Sequence, residues 1–329
     1  MKNKKKLIIA VIAVILALAL VGTGIYFYLM RYNTDEKDTD ELYRQNVASV
    51  GYENTIETAY PQTDLYEIID SHFRGKLPEG KAEKKAAVIG YDGCRADILA
   101  EVQEENSAVS YLLKNGGSNN LTYSGGVNFP AENTQATSTA PGWCSILTGV
   151  WSDVHGINWN GEVKKLEPKM LMTTLIEDAV IDNAAFITKW KGHFTDSDST
   201  YIDEKAYCEE NNIDIDFNLR KNKSDIHKGA MEEVAREDCA DFVFVIYENT
   251  DSAGHDFGFS YNNPIYKNAF NKKDAYGYEL IKAIESRETY DSEDWLIIVT
   301  SDHGGFGTGH GHASIQERMT FVVMNRAWK

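Results

Sequence analysis

Short apolar runs alternate with amphipathic stretches through most of this chain. The runs are AAVIGY (86–91), AAFIT (184–188), DFVFVIY (241–247), WLIIVTS (295–301) and MTFVVM (319–324). They lack the strict apolar-polar alternation of a half-exposed strand, so they read as strands buried on both faces. Between them, DLYEIIDSHF, RADILAEVQEE, PGWCSIL, KMLMTTLIEDAV, DIHKGAMEEVARE and KDAYGYELIKAIESRE carry helical spacing. Buried strands interleaved with amphipathic helices predict an α/β fold with a mostly parallel central sheet and helices on both faces. Two long polar stretches, GGSNNLTYSGGVNFPAEN and HFTDSDSTYIDEKAYCEENNIDIDFN, read as loops that face a substrate or cover strand edges.

The N-terminal pattern is different. MKNKKK is followed by residues 7–30, a run without a single charge. At a rise of ~1.5 Å per residue such a run spans a ~30 Å hydrocarbon core. The sequence therefore predicts a cytoplasmic tail (1–6), an uncleaved transmembrane anchor (7–30), a polar stalk (31–54) and an extracytoplasmic catalytic domain (55–329). Lysines before the run and acidic residues after it set that orientation, a single-pass protein of the cell membrane.

The formal charge of −17 argues against nucleic acid as a partner, because phosphate backbones are held by clustered Lys and Arg. An anionic substrate would need a local positive centre, which bound metal ions supply. The four cysteines, Cys94, Cys144, Cys208 and Cys239, are widely spaced and form no CxxC pair. They read as small buried apolar side chains, with Cys94 and Cys144 each close behind a candidate site residue.

In an open α/β sheet, ligands bind beyond the carboxyl ends of the strands. AAVIGY ends on Asp92, DFVFVIY leads to Asp251 and His255, and WLIIVTS ends on Asp302 and His303, with His310 and His312 following in GTGHGHAS. Each alone reads equally well as a helix cap or a loop hydrogen bond. Together, carboxylate and imidazole from three strand ends amount to the ligand set of a two-metal site, suited to zinc or, second, manganese. In ATSTAPGWCSILTG, Pro141 marks a helix start and Thr139 sits just before it, where N–H groups and the helix dipole would face its hydroxyl.

Four blocks, YDGCR, STAPGWCSILTGVWSDVHGIN, Asp251 to His255 with its trailing DFG, and SDHGG followed by GHGH, resemble the alkaline phosphatase superfamily and, within it, the nucleotide pyrophosphatase / type I phosphodiesterase branch. The resemblance covers residues 86 to 324 and implies an alkaline-phosphatase-like fold. It implies that Asp92, Asp302 and His303 hold one divalent ion together with the Thr139 oxygen, and that Asp251, His255 and His310 hold the other. His310 is chosen over His312 because a Gly follows it, as in the family. Thr139 would be the nucleophile, forming a phosphothreonine that is then hydrolysed, and Asn160 would donate to a phosphate oxygen. The expected substrate is a small-molecule or lipid phosphodiester. Phosphomonoester or phosphonate hydrolysis is the alternative, with Arg95, Lys189 and Lys191 as the nearest cations for it. A sulfatase is disfavoured, because Thr139 and Trp143 stand where that branch has Cys and Arg. A non-catalytic binding protein is disfavoured because every expected ligand type is present.

Overall fold

The computed structural model describes residues 11–26, 38–125, 135–163, 166–196 and 198–328. Among the described residues, eight strands form one sheet: β1 (Tyr60–Pro61), β2 (Glu83–Tyr91), β3 (Ser118–Tyr123), β4 (Ala184–Thr188), β5 (Ile215–Leu219), β6 (Phe242–Tyr247), β7 (Glu293–Thr300) and β8 (Met319–Met324). Their spatial order is β1-β3-β8-β7-β2-β6-β4-β5. β8 runs antiparallel to both of its neighbours, and the remaining pairings are parallel. All five apolar runs are strands, as their pattern predicts.

The lack of alternation in those runs has a direct cause. Ala87, Ile89, Val243, Val245, Ile297 and Val299 pack into one core, while Val88, Phe244, Ile246, Leu296 and Ile298 pack into a second core on the opposite face. With helices covering both faces, neither set of alternate side chains meets water.

Two polar stretches expected to be loops contain regular structure. Ser118–Tyr123 is strand β3, paired with β8, and the second stretch holds the helix Ile202–Asn211 and the strand β5. Burial of Asn119 and Asn120 at 2% and 1% exposure shows why the sequence misleads here: the sheet register, not strand propensity, places them inside. Part of the first stretch, 126–133, lies outside the described residues.

The N-terminal expectations also change. Residues 11–26 are helical and exposed, but no helix among the described residues is long and apolar enough to cross a membrane, so the anchor gains no support. Its ends, 7–10 and 27–30, lie outside the described residues, as do the tail and the first part of the stalk. The second part of the stalk is not free: Asp40–Val50 is a helix capped by Thr39, and it buries Tyr43 and Val47 in the core. Asp38, just before it, is clasped by Arg95.

Candidate active site

Asp92 follows β2, Asp302 and His303 follow β7, and Asp251 and His255 lie on the helix Asn249–Phe257 after β6. Those three strands are neighbours, so their carboxyl ends converge on one place. The chain closes it tightly: the Asp251 N–H donates to the Asp92 carbonyl at 2.9 Å, and the Thr250 hydroxyl donates to the same oxygen. Gly93, at φ +63°, lies so close to the Asp251 Cα that any side chain there would collide.

Two clusters result. Asp92, Asp302 and His303 form one, Asp251, His255 and His310 the other, and within each the ligand atoms lie inside 4.8 Å of one another. His312 is exposed and belongs to neither. Thr139 stands beside the first cluster, its Oγ1 3.4 Å from Asp92 Oδ1 and 3.5 Å from His303 Nε2.

The imidazoles are oriented for coordination. His255, His303 and His310 direct Nδ1 at the carbonyls of Thr308 (3.0 Å), Gly304 (2.6 Å) and Thr137 (3.0 Å). A carbonyl only accepts, so each Nδ1 carries the proton and each Nε2 keeps its lone pair. His255 Nε2 and His310 Nε2 face each other at 3.1 Å, and both lie within 3.5 Å of Asp251 Oδ1. Among the described residues, Asp251 Oδ1 and Asp302 Oδ2 are buried without a hydrogen bond. Lone pairs crowded together in this way repel unless a cation stands among them, so the residues fit divalent metal.

Charge behaviour follows the same geometry. Burial, then the charges of Asp302 and Asp251, hold the Asp92 carboxyl well above the usual carboxylate range. Burial does the same to Asp302 and pushes Asp251 up to about 6. Burial holds His303 well below an ordinary imidazole and takes His310 down to about 4. Without a cation the site resists charging in either direction.

Trp143 supports the buried cluster by donating from Nε1 to Asp92 Oδ2 at 3.1 Å, and the Gly93 N–H donates to Asp302 Oδ1 at 3.1 Å. Trp143 reaches there because Gly90 on β2 has no side chain where its ring lies.

The helix start differs from expectation by one residue. Ser138 is the N-cap and Thr139 the first helical residue of Thr139–Thr148. The Ala140 N–H donates to Asn160 Oδ1 at 2.8 Å, Pro141 has none, and the Gly142 N–H returns to the Ser138 carbonyl. The helix thus offers at most one backbone donor beside Thr139, and Asn160 is left with its Nδ2 amide to donate.

Arg95 is not in the site. It is fully buried, bidentate to Asp38 (2.5 and 2.9 Å) and to Asp97 (2.9 and 2.8 Å), and it donates to the Phe259 carbonyl. All four cysteines are buried and free.

A cleft of about 280 Å³ joins Thr139, Asn160 and ligands of both clusters to Lys189, Trp190, Lys223 and Glu248. Lys189 is a cation the sequence flags; Trp190, Lys223 and Glu248 are not among its candidates. One signal for Lys223 exists, since a lysine in the first turn of a helix opposes the dipole. Nothing in the sequence marks Glu248.

The fold and site thus combine a parallel-rich α/β sheet with two carboxylate and imidazole clusters that could each hold a metal ion, the first of them beside a helix-borne threonine. The chain belongs to the type I phosphodiesterase / nucleotide pyrophosphatase family, whose pattern it matches over residues 86–313, the branch its motifs resemble. Among solved structures it is similar to murine ectonucleotide pyrophosphatase / phosphodiesterase 5 in an inactive form with AMP, at 21% identity and a TM-score of 0.46 over 68% of this chain and 57% of that one. The human protein of the same name gives 17%, 0.44, 68% and 57%. The C-terminal periplasmic domain of Escherichia coli EptC, in complex with zinc, gives 13%, 0.43, 75% and 74%. The chain thus spans 57% of the length of the murine and human chains. A comparison of the sequence with curated proteins finds no match.

Proposed function

We propose that this chain is a metal-dependent phosphodiesterase that attacks phosphorus with Thr139. The observation that carries the reading is the set of three imidazoles, each with Nδ1 fixed on a carbonyl and Nε2 turned to a carboxylate, Asp302 for His303 beside Thr139 and Asp251 for His255 and His310 in the same cleft. Asp92, Asp302 and His303 would hold one divalent ion and Asp251, His255 and His310 the other, zinc before manganese, and such ions would supply Lewis-acid polarisation and a lowered pKa for the Thr139 hydroxyl. The Thr139 oxygen bonds to phosphorus as the leaving oxygen departs, giving a phosphothreonine that water then cleaves. Asn160, oriented by the Ala140 N–H, donates from Nδ2 to a phosphate oxygen. The nearest carboxylate to the Thr139 hydroxyl, Asp92, is also a ligand, so no side chain is assigned as a separate general base. Nucleotide phosphodiesters are the substrate class, as the family's description supports.

Replacing Thr139 with Ala in the zinc-loaded chain should cut kcat/KM on bis(p-nitrophenyl) phosphate by at least about 10⁴-fold while metal content stays at the wild-type level. Substantial remaining turnover would refute the nucleophile. Lys189 and Lys223 in the cleft favour a second reading, a phosphomonoesterase or phosphonate hydrolase. It predicts a higher kcat/KM on p-nitrophenyl phosphate than on the diester.

The uncharged run 7–30, with lysines before it and acidic residues after it, supports catalysis on the outer side of a membrane. Protection of residues 55–329 from protease added to intact cells would rule that placement out.

A further inference from the structure

Arg95 ties the segment ahead of β1 to the open metal cluster. All five of its N–H donors are engaged: two on Asp38, two on Asp97 and one, from Nη1, on the Phe259 carbonyl at 2.7 Å. The helix Asp40–Val50 covers the same side chain, with the guanidinium carbon 5.1 Å from the centre of the Tyr43 ring. A planar guanidinium fixed at every donor cannot turn without breaking several charge-assisted bonds at once. It therefore holds the Phe259 carbonyl in one place. A hydrophobic side chain of similar volume can be as stabilising in such a spot, but it would hold no carbonyl.

Phe259 is the next link. Its N–H donates to the Gly307 carbonyl at 2.7 Å, and its ring stands edge-on to the imidazoles of His255 and His310, 5.3 and 6.0 Å away between ring centres. A Cβ on Gly254 or on Gly305 would collide with that ring. Phe259 is thus wedged between the helix that carries Asp251 and His255 and the loop that runs from His303 to His310. A second tie runs in parallel. Gln316 donates from Nε2 to Asp40 Oδ1 at 2.9 Å, and its neighbour Glu317 takes the Gly304 N–H on its carbonyl at 2.8 Å and the His312 N–H on its carboxylate at 3.1 Å. Those are the two ends of the loop that delivers His310. Asp38 and Asp40 thus reach both supports of the open cluster, although neither is a ligand.

We infer that Arg95 is a positioning residue of the open cluster, and that it holds Phe259 in place for His255 and His310 only while Asp38 is docked on it. The inference rests on the metal-binding part of the proposed function. It gives a segment far ahead of the ligands a share in metal binding: docking of Asp38–Val50 and occupation of the open cluster favour each other.

The test compares Asp38→Ala with Val47→Ala in the 329-residue chain. Val47 is buried by the same helix, so its truncation loosens the packing but leaves the Arg95 hydrogen bonds in place. In Asp38→Ala, zinc affinity read by competition with a chelator should fall about tenfold at one of the two sites, the low end of the loss expected when a ligand's outer support is removed. In Val47→Ala it should stay within about twofold of wild type. In a His255→Ala background, which leaves the buried cluster to bind zinc, Asp38→Ala should change affinity by no more than about twofold. Coupling is reciprocal, so zinc should slow amide hydrogen exchange in Asp40–Val50 by the same factor of about ten in wild type, and not in Asp38→Ala. Unchanged affinity in Asp38→Ala, an equal loss in Val47→Ala, a loss that persists in the His255→Ala background, or helix exchange that ignores zinc in wild type would each overturn the inference. Should Asp38→Ala fail to fold, Asp38→Asn, which keeps the volume and one acceptor, takes its place with the same expected pattern.

A wild-type chain that binds no more than one zinc ion would sink the two-metal reading instead. Arg95 is then judged in the metal-free chain by the ring resonances of nitrogen-15-labelled histidine. Loss of the Nδ1–H tautomer of His255 and His310 in Asp38→Ala, with His303 unchanged, upholds the positioning role; any other pattern removes it.

Discussion

Asp92, Asp302 and His303 are each at most 2% exposed, whereas the side chains of Asp251, His255 and His310 are 19%, 44% and 8% exposed. The two clusters have the same kinds of ligand and are joined through one backbone hydrogen bond, Asp251 N–H to the Asp92 carbonyl. Their supports differ. In the buried cluster each carboxylate has a second oxygen pinned from the protein interior, by the Trp143 indole and by the Gly93 N–H. In the open cluster the imidazoles hang from the Thr308 and Thr137 carbonyls of two loops, and Phe259 packs edge-on against both His255 and His310. The buried cluster is held from the interior beside Thr139. The open one faces the cleft.

That contrast is broken most severely by ligand deletion. His303→Ala should remove metal from the buried cluster and, by opening a cavity in the interior, lower the stability of the metal-free chain by about 2–4 kcal/mol. His255→Ala should remove metal from the open cluster with a change in urea-unfolding free energy of no more than about 0.5 kcal/mol. Metal content by atomic emission and unfolding midpoints measure both, and similar stability losses in the two variants would erase the distinction.

A smaller effect isolates the interior support. Trp143→Phe keeps the ring over Gly90 but deletes the N–H that Asp92 accepts. Affinity at the buried cluster should weaken by about 10–100-fold, with the open cluster unchanged, as read by competition with a chelator. Equal weakening of both would mean the indole acts through general packing.

The mildest test is pH. Asp251 is pushed up to about 6 by burial, whereas His310, taken down to about 4, stays neutral above that value. A protonated carboxyl does not ligate, so the sign is fixed: as pH falls below about 6, affinity at the open cluster should drop by about tenfold per unit through Asp251 alone. Calorimetry in two buffers of different ionisation enthalpy should detect close to one proton released per metal bound at pH 5. No proton release there would mean Asp251 is already ionised.

Much of this site was legible along the chain because most of its carboxylates and imidazoles closely follow strand ends. Strand length is readable from apolar runs, and residues that follow neighbouring parallel strands must converge. The position of Thr139 was readable from Pro141 for a similarly local reason, since proline is compatible with the first turn of a helix. Arg95 shows the limit. It lies three residues past Asp92 and reads as a phosphate clamp, but its guanidinium turns inward to Asp38, a residue far away in the chain.

Sequence alone thus determined the layered α/β class, the strands, and which carboxylates and imidazoles gather, because each depends on local pattern and the ends of parallel strands. Tertiary structure decided the remainder: that residues from Asp38 onward pack on the domain, that the polar segment Ser118–Tyr123 is a strand, and that lysines from separate loops meet beside Trp190. Each of these depends on burial, register or contacts between distant segments, and those quantities exist only once the chain has closed on itself.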